Sequence, residues 1–97
     1  MAKLSPEEIA ARLKAVAGWH YAEYAISKLY RFKKFMDGIR FIDKVAEMAE
    51  AADHHPDISV NYTRVTFTCS THDAGGVTEK DFALASEIER AFKALSG

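Results

Sequence analysis

The chain has 97 residues, of which 48% are apolar and 28% are charged. This length suits one domain with one core, so we predict a single domain over residues 1–97. The composition is typical of a globular protein and argues against the disordered, collagen-like and membrane classes. The 13 Lys and Arg residues balance 14 Asp and Glu residues, so the chain lacks the basic excess that favours nucleic acids or anionic membranes.

The single cysteine and the distribution of apolar residues help to predict the cellular compartment of the protein. Cys69 has no second cysteine with which to form an internal disulfide, which fits a reducing compartment. No segment approaches the roughly 18 apolar residues of a membrane span, and the N-terminus carries no long apolar stretch. We therefore expect a cytoplasmic protein without a membrane segment.

The first predicted element is a helix that begins at Ser5 and Pro6. Serine is a typical capping residue, proline is favoured at the first helical position, and Glu8 completes a capping box. The apolar positions at helical spacing are Ile9, Leu13 and Val16. Gly18 predicts the end of this helix.

Two segments rich in aromatic residues follow, at residues 19–24 and 26–35. In the second segment, Tyr30 and Phe32 alternate with Arg31 and Lys33, which is the period of two expected of a strand. We predict that the two segments form a β-hairpin.

From about residue 37 to residue 52 the apolar period lengthens to nearly four, which predicts an amphipathic helix. Its broad apolar face comprises Phe41, Ile42, Val45, Met48, Ala49 and Ala52. Pro56 disfavours helical geometry at the residue before it, so this helix should end before His54 and His55.

The last third of the chain predicts two strands and a helix. Apolar and polar residues alternate over residues 58–62 and 65–69, which indicates two short strands joined by a tight turn. Residues 73–76 contain two glycines and predict a flexible loop. Thr78 and Asp81 resemble a capping box at the start of the final helix. That helix carries a buried face of Leu84, Ile88, Ala91, Phe92 and Leu95.

The predicted order is therefore αββαββα. Strand pairs separated by helices are typical of the α+β class, so we predict a four-stranded antiparallel sheet with helices packed on one face. The other face, with Lys, Arg and Thr, can remain in water. An open edge strand can also pair with a second copy of the chain.

Three of the four histidines lie at predicted ends of elements, close in sequence to carboxylates. His54 and His55 follow the second helix, and His72 follows the last strand. Imidazole can both accept and donate a proton near neutral pH, so three such groups can divide acid and base duties around one substrate. Glu50 and Asp53 are near enough in sequence to orient an imidazole.

Simpler interpretations of these residues remain open. A His-His pair is common on protein surfaces without a function, and three histidines can also bind zinc, although adjacent ligands suit one tetrahedral ion poorly and no HExxH or CxxC motif is present. Asp81 is most simply a first-turn carboxylate that stabilises the N-terminus of the last helix. Cys69 alternates with apolar residues and is best explained as a core residue.

The spacing of these residues resembles a known signature. Glu50, then His54-His55-Pro56, Tyr62, His72 and Asp81 match every element of the pattern of the pterin-4a-carbinolamine dehydratases. A lone His-His pair would carry little weight, but the complete spaced set is specific. The resemblance also covers most of the chain.

The resemblance implies a dehydration without a cofactor and without a metal. A 4a-hydroxytetrahydropterin loses water to give a quinonoid dihydropterin, which a reductase recycles. The reaction needs a general acid for the leaving hydroxyl and a base for the proton on N5, and imidazoles supply both.

The resemblance also implies roles for individual residues. His55 is the expected principal acid/base, and His54 and His72 share leaving-group activation and substrate binding. Supporting roles fall to carboxylates at Glu50, Asp53 and Asp81. Contacts to the flat pterin are expected from Pro56 and from the backbone of residues 71–74, which are Thr71, His72, Asp73 and Ala74.

Partners follow from the same resemblance. Members of the family form dimers or tetramers, and some serve as dimerisation cofactors of a transcription factor. We expect a homodimer or, more specifically, a homotetramer, because a monomer of this length would not easily bury Phe41, Met48 and their neighbours. No direct contact with nucleic acid or membrane is expected.

Three alternatives remain at this stage. The fold can serve as a non-enzymatic module that binds an aromatic amino acid hydroxylase or a transcription regulator, although an intact histidine set favours the enzyme. A related enzyme can act on another substrate, such as a molybdopterin-type compound. A metal-dependent hydrolase is the third alternative.

Overall fold

The computed structural model describes residues 2–96, and within them helices and strands follow the predicted order αββαββα. A short 3-10 turn, His72–Ala74, precedes the last helix. The elements are α1 Pro6–Leu13, β1 His20–Ala22, β2 Ala25–Arg31, α2 Phe35–Ala52, β3 Asp57–Asn61, β4 Arg64–Cys69 and α3 Glu79–Ser96.

The four strands form one antiparallel sheet in the order β1-β2-β4-β3, which confirms the predicted fold class. Ile26 at the start of β2 pairs with Cys69 at the end of β4, and Asp57 at the start of β3 pairs with Thr68. The β1–β2 turn, the segment before β3 and the segment after β4 therefore lie at one end of the sheet. This end carries the three histidines, and we call it the histidine end.

An aromatic cluster fills the space between the sheet and the helices α2 and α3. The Tyr30 ring on β2 lies 5.5 Å from Phe41 on α2, 5.8 Å from Phe67 on β4 and 4.8 Å from Phe92 on α3, measured between centroids. Burying such rings supplies much of the hydrophobic stabilisation of a small domain.

The expectation that a second copy is needed to bury the apolar face of α2 is wrong for Phe41. Phe41 is fully buried within one chain, and Met48 is half-buried and packs against the same core. The aromatic rings of the sheet and α3 cover Phe41, whereas Ile42 is half-buried and Ala52 is exposed.

The start of α1 is as predicted and its end is not. The Ser5 amide donates to Glu8 Oε1 (2.8 Å) and the Glu8 amide donates to Ser5 Oγ (3.1 Å), which confirms the capping box. The helix ends at Leu13, and Val16 is buried in the turns beyond it. Gly18 has a left-handed φ of 85° and turns the chain into β1 instead of ending the helix.

Two other predicted boundaries differ from the structure. β2 ends at Arg31, and α2 begins at Phe35, two residues before the predicted start. The cause is Lys34, which is extended and forms the N-cap, so that Phe35 joins the helix. The segment predicted as a flexible loop contains a 3-10 turn, because the Thr71 amide bonds to the Gly76 carbonyl and closes the segment.

None of the helices within residues 2–96 combines the length and the apolar character that a bilayer crossing needs.

Candidate active site

The end of α2 places His54 and His55. Asp53 has a left-handed conformation (φ 51°, ψ 42°), and the amide of His54 donates to the Ala49 carbonyl at 3.1 Å. This arrangement closes the helix at its C-terminus, and Pro56 then leads the chain into β3. The helix ends before the His-His pair, as Pro56 predicted.

His54 is held by Asp81, which lies on the first turn of α3. The distance from His54 Nε2 to Asp81 Oδ1 is 2.5 Å. Asp81 is fully buried, and the His54 side chain is only 12% exposed. The predicted cap residue of α3 is therefore also the carboxylate partner of an imidazole 27 residues earlier.

Two buried threonines hold Asp81 from the other side. Oδ2 of Asp81 accepts from Thr71 Oγ1 at 2.8 Å and from the backbone amide of Thr78 at 2.9 Å. The two hydroxyl oxygens, Thr71 Oγ1 and Thr78 Oγ1, lie 2.7 Å apart. The Lys80 amide donates to Thr78 Oγ1 at 3.2 Å.

Counting protons gives this chain of hydrogen bonds a direction. Each threonine hydroxyl has one proton, and a carboxylate can only accept. Thr71 gives its proton to Asp81, so the bond between the threonines must be donated by Thr78. His54 in turn must donate from Nε2 to Asp81. The assigned tautomer of neutral His54 is Nε2–H, which leaves Nδ1 as the nitrogen that can exchange a proton.

The contact between His55 and its carboxylate partner is more exposed than that of His54. His55 Nε2 lies 2.5 Å from Glu50 Oε1, and the two side chains are 55% and 78% exposed. Water competes for such a contact, so the pair holds His55 far less firmly than Asp81 holds His54. Asp53, the other carboxylate considered for this role, forms no side-chain hydrogen bond to either imidazole among the described residues.

His72 begins the 3-10 turn directly after Thr71. The amides of Ala74 and Gly75 donate to the Thr71 carbonyl, each at 3.1 Å, and the Thr71 amide donates to Gly76 at 2.9 Å. His72 and Asp73 are exposed on this turn, and Ala74 is half-buried. Because Thr71 also bonds to Asp81, the turn that carries His72 is linked to His54 through one buried carboxylate.

Comparison with known proteins shows the family of the chain. The family model described as pterin 4 alpha carbinolamine dehydratase matches residues 2–91. The chain belongs to the pterin-4-alpha-carbinolamine dehydratase family. This family comprises hydro-lyases, and the match spans every residue of the candidate site.

Individual relatives of the dehydratase family match almost end to end. The protein named "Putative pterin-4-alpha-carbinolamine dehydratase 2" from Gloeobacter violaceus is 49% identical over 92 residues, which are 91% of this chain and the whole of that protein. A relative with the same family name from Sulfolobus acidocaldarius is 44% identical over 88 residues, covering 91% of this chain and 97% of that one.

Two solved structures share the fold. The crystal structure of a transcriptional coactivator/pterin dehydratase from Brucella melitensis has a TM-score of 0.88 at 34% identity, covering 92% of this chain and 97% of that chain. A pterin dehydratase-like protein identified as a RuBisCO assembly factor has a TM-score of 0.65 at 21% identity, with 76% and 88% covered. The second likeness shows the dehydratase fold alone.

One residue of the dehydratase signature lies away from the histidines. Tyr62 is in the β3–β4 turn, at the opposite end of β3 from His55, and its ring stacks near Phe35 with centroids 6.4 Å apart. Within one chain it therefore lies apart from the candidate active site.

Two further hydrogen bonds at the histidine end could not be expected from the sequence alone. Ser70 Oγ donates to the backbone carbonyl of Tyr24 at 2.9 Å, which ties the β1–β2 turn to the segment carrying His72. Tyr24 has a left-handed φ of 67° and an exposed ring. The sequence predicts Thr78 only as a helix cap, whereas in the structure its hydroxyl also lies 2.7 Å from that of Thr71.

The thiol of Cys69 is not suited to nucleophilic catalysis. It is fully buried at the end of β4, and burial, with smaller contributions from the charges of Asp81 and Asp57, raises the pKa of its thiol to about 12. A thiol with so high a pKa is not a nucleophile near neutral pH. Within residues 2–96, no group of three or more His, Cys, Asp or Glu side chains is placed to hold a metal ion.

The raised pKa of Cys69 predicts a loss of stability in alkali. Its thiol binds a proton more tightly when folded, so its contribution to stability is present below about pH 9 and falls as the pH rises toward about 12. Burial also raises the pKa of Tyr30, which acts in the same direction. We expect a lower urea midpoint at pH 10.5 than at pH 7.5, and a smaller decrease in Cys69→Ala. Equal decreases in the two proteins would contradict this contribution of the thiol.

Proposed function

We propose that the protein dehydrates a 4a-hydroxytetrahydropterin to the quinonoid dihydropterin by histidine general acid–base catalysis, in support of tetrahydropterin recycling. Family membership supports the substrate class. The observation that carries the histidine mechanism is the buried link from His54 through Asp81 to Thr71, since it joins the two segments that bear the histidines.

The reaction requires two proton transfers and one bond cleavage. A base takes the proton from N5 of the pterin, and the electron pair left on N5 forms the double bond to C4a. The bond from C4a to the hydroxyl oxygen breaks, and an acid protonates that oxygen so that it leaves as water. No net proton is consumed, so a set of imidazoles that begins with one protonated member is regenerated after exchange with solvent.

The geometry supports different duties for the two adjacent histidines. His54 keeps its Nε2–H on Asp81 in either protonation state, so proton exchange is confined to Nδ1. His55 is half-exposed and in contact with a solvated carboxylate, so it can turn and exchange protons with water between cycles. We therefore assign His55 as the principal acid/base, with His54 and His72 activating the leaving hydroxyl and binding substrate.

Pterin contacts are assigned to the turn after β4 and to Pro56. The peptide groups of Thr71 are already bonded to Gly76, Ala74 and Gly75. The His72 carbonyl accepts from the Gly75 amide at 3.1 Å. The groups left for the flat pterin are therefore chiefly the His72 amide and the peptide groups of Asp73, together with the half-buried Pro56 ring.

The direct test measures quinonoid dihydropterin formation from freshly generated 4a-hydroxytetrahydropterin, with and without the native protein. Acceleration that rises linearly with protein concentration and persists after treatment with a chelator is the expected result. A rate no greater than that in buffer would refute the dehydratase assignment, and the search would then turn to partner proteins.

Because the contact between Glu50 and His55 is exposed, we expect removal of the Glu50 charge to change the dehydration rate only slightly. Glu50→Gln removes a charge from an exposed pair worth at most about 1 kcal/mol, so we expect the rate to fall by no more than about fivefold. Asp53→Asn removes a neighbouring charge that touches neither imidazole, and no change is expected. Steady-state assays of both variants check this, and a larger loss in Asp53→Asn would reverse the assignment.

We also propose that β3 is the surface for self-association. It is an edge strand whose five residues are all exposed, and it presents Ile58 and Val60, 37% and 43% exposed, beside unpaired backbone groups. A second copy can pair along this edge to give a dimer, from which a tetramer can be built. Light scattering is expected to show an oligomer that Val60→Lys weakens, and a native monomer would contradict the proposal.

The same exposed strand supports the second candidate function, a module that binds a hydroxylase or a transcription regulator. β-strand addition to an open edge is a general mode of peptide recognition. A native protein without dehydratase activity but with intact β3 would favour this function.

A further inference from the structure

A cavity lies at the end of the sheet opposite the histidines. It has a volume of about 510 Å³ and lies between the end of β2, the first turns of α2 and the end of α3. This volume falls in the range of about 300–1,000 Å³ that is usual for small-molecule sites. Its lining is Arg31, Phe32, Lys33, Asp37, Arg40, Phe92 and Leu95. We call it the basic cleft.

The basic cleft concentrates positive charge in a chain whose net charge is −1. Three cations, Arg31, Lys33 and Arg40, face one carboxylate, Asp37, which is paired with Arg40 at 3.4 Å. Neither Arg31 nor Lys33 takes part in an ion pair within residues 2–96. The local excess therefore matches a doubly charged anion such as a phosphate monoester, which carries about −1.5 to −2 at neutral pH.

Arg31 also faces a second cation across the sheet. It pairs in antiparallel register with Arg64 on β4, and like charges at directly opposed positions destabilise a strand pair. Arg64 likewise forms no ion pair among the described residues. An anion bound to Arg31 would reduce this repulsion, and guanidinium matches phosphate oxygens in bidentate geometry.

Aromatic surface adjoins these charges. A second groove of about 440 Å³ shares Arg31 and Phe32 with the basic cleft and continues to Tyr62 and Arg64. Tyr62 is 71% exposed and Phe35 is 42% exposed, with their rings nearly parallel at 11°. One face of the Tyr62 ring is thus supported from within the chain, which leaves it well placed to stack on a planar ligand.

The geometry points to a second binding site here, for a small phosphate monoester that carries an aromatic ring. The phosphate lies in the basic cleft between Arg31 and Arg40, and the ring extends over Phe32 toward Tyr62. The site is separate from the histidine end, so it neither requires nor alters the proposed dehydratase chemistry.

The test is a titration of the native protein with adenosine monophosphate in 150 mM NaCl, followed by calorimetry and by backbone amide shifts. We expect a dissociation constant below about 1 mM, with shifts at residues 31–40 and 62–64. Arg31→Gln and Arg40→Gln should each weaken binding about tenfold or more, because each removes a charge-assisted hydrogen bond. Arg90→Gln removes an exposed arginine outside the cleft and is the matched control.

Five further results would overturn the inference. Binding that Arg31→Gln leaves unchanged, or shifts confined to the histidine end, would place the phosphate elsewhere. Inorganic phosphate that binds as tightly as the nucleotide, or nucleotide binding that Tyr62→Ala does not affect, would remove the aromatic part of the ligand. A 12-residue oligo-dA that binds far more tightly than the monophosphate, with a steep salt dependence, would reassign the surface to nucleic acid.

Discussion

Alanine at His55 is expected to reduce the catalysed dehydration rate by about 10²–10⁴-fold, the usual loss when a general acid or base is removed. The same range is expected for His72→Ala. Both side chains are exposed, so neither substitution opens a cavity and the fold should survive. The rate of quinonoid dihydropterin formation, corrected for the spontaneous reaction, measures the effect.

The fourth histidine provides a control within the same chain. His20 is exposed on β1 and belongs to no hydrogen bond of the candidate site. His20→Ala should keep the native rate. An equal loss in all three variants would indicate a general effect on the protein, and full activity in His55→Ala would remove it from the principal acid/base role.

Removal of the Asp81 carboxylate is expected to produce the largest loss of stability. Asp81→Ala leaves three buried donors without their acceptor: His54 Nε2–H, the Thr71 hydroxyl and the Thr78 amide. Losing one partner of a buried charged pair typically costs about 3–5 kcal/mol. Urea unfolding should show a lower midpoint with an unchanged slope, whereas Asp43→Ala on the exposed side of α2 should be nearly neutral.

A second variant separates stability from histidine positioning. Asp81→Asn keeps the shape and one acceptor, so more of the fold should persist, but the amide can no longer require that His54 donate from Nε2. Nitrogen NMR of the imidazole should show nearly pure Nε2–H tautomer in the native protein and a mixture in the variant. A mixed tautomer in the native protein would contradict the proton count along Thr78, Thr71 and Asp81.

Much of the fold was predictable from local patterns. The capping box of Ser5 and Glu8 is formed within four residues, so its geometry depends on little else. Pro56 likewise acts on the residue before it and ends α2 ahead of the histidines. The predicted boundaries of elements were less accurate where they depend on distant contacts. Phe35 follows the alternating pattern of a strand but belongs to α2, since the chain turns at Lys34 after β2 has paired with β4.

The candidate site was likewise predictable only in part. Its histidines, and the carboxylates Glu50 and Asp81, were found because their types and spacing match a family signature. The hydrogen bonds between these carboxylates and histidines were not found, because a linear sequence suggests that neighbouring residues interact. Asp53 directly precedes His54, yet it adopts the left-handed conformation that closes the helix and hydrogen-bonds to neither imidazole. Tyr62 belongs to the same spaced set and lies at the other end of β3.

The sequence by itself determined the order of elements, the class of the fold and the family, since each depends on residue types and local periodicity. Only the tertiary structure decided which carboxylate holds which histidine. It did so because the antiparallel register brings the start of β3 and the end of β4 together, and because α3 then places the Asp81 carboxylate, buried and acceptor-only, between Thr71 and His54.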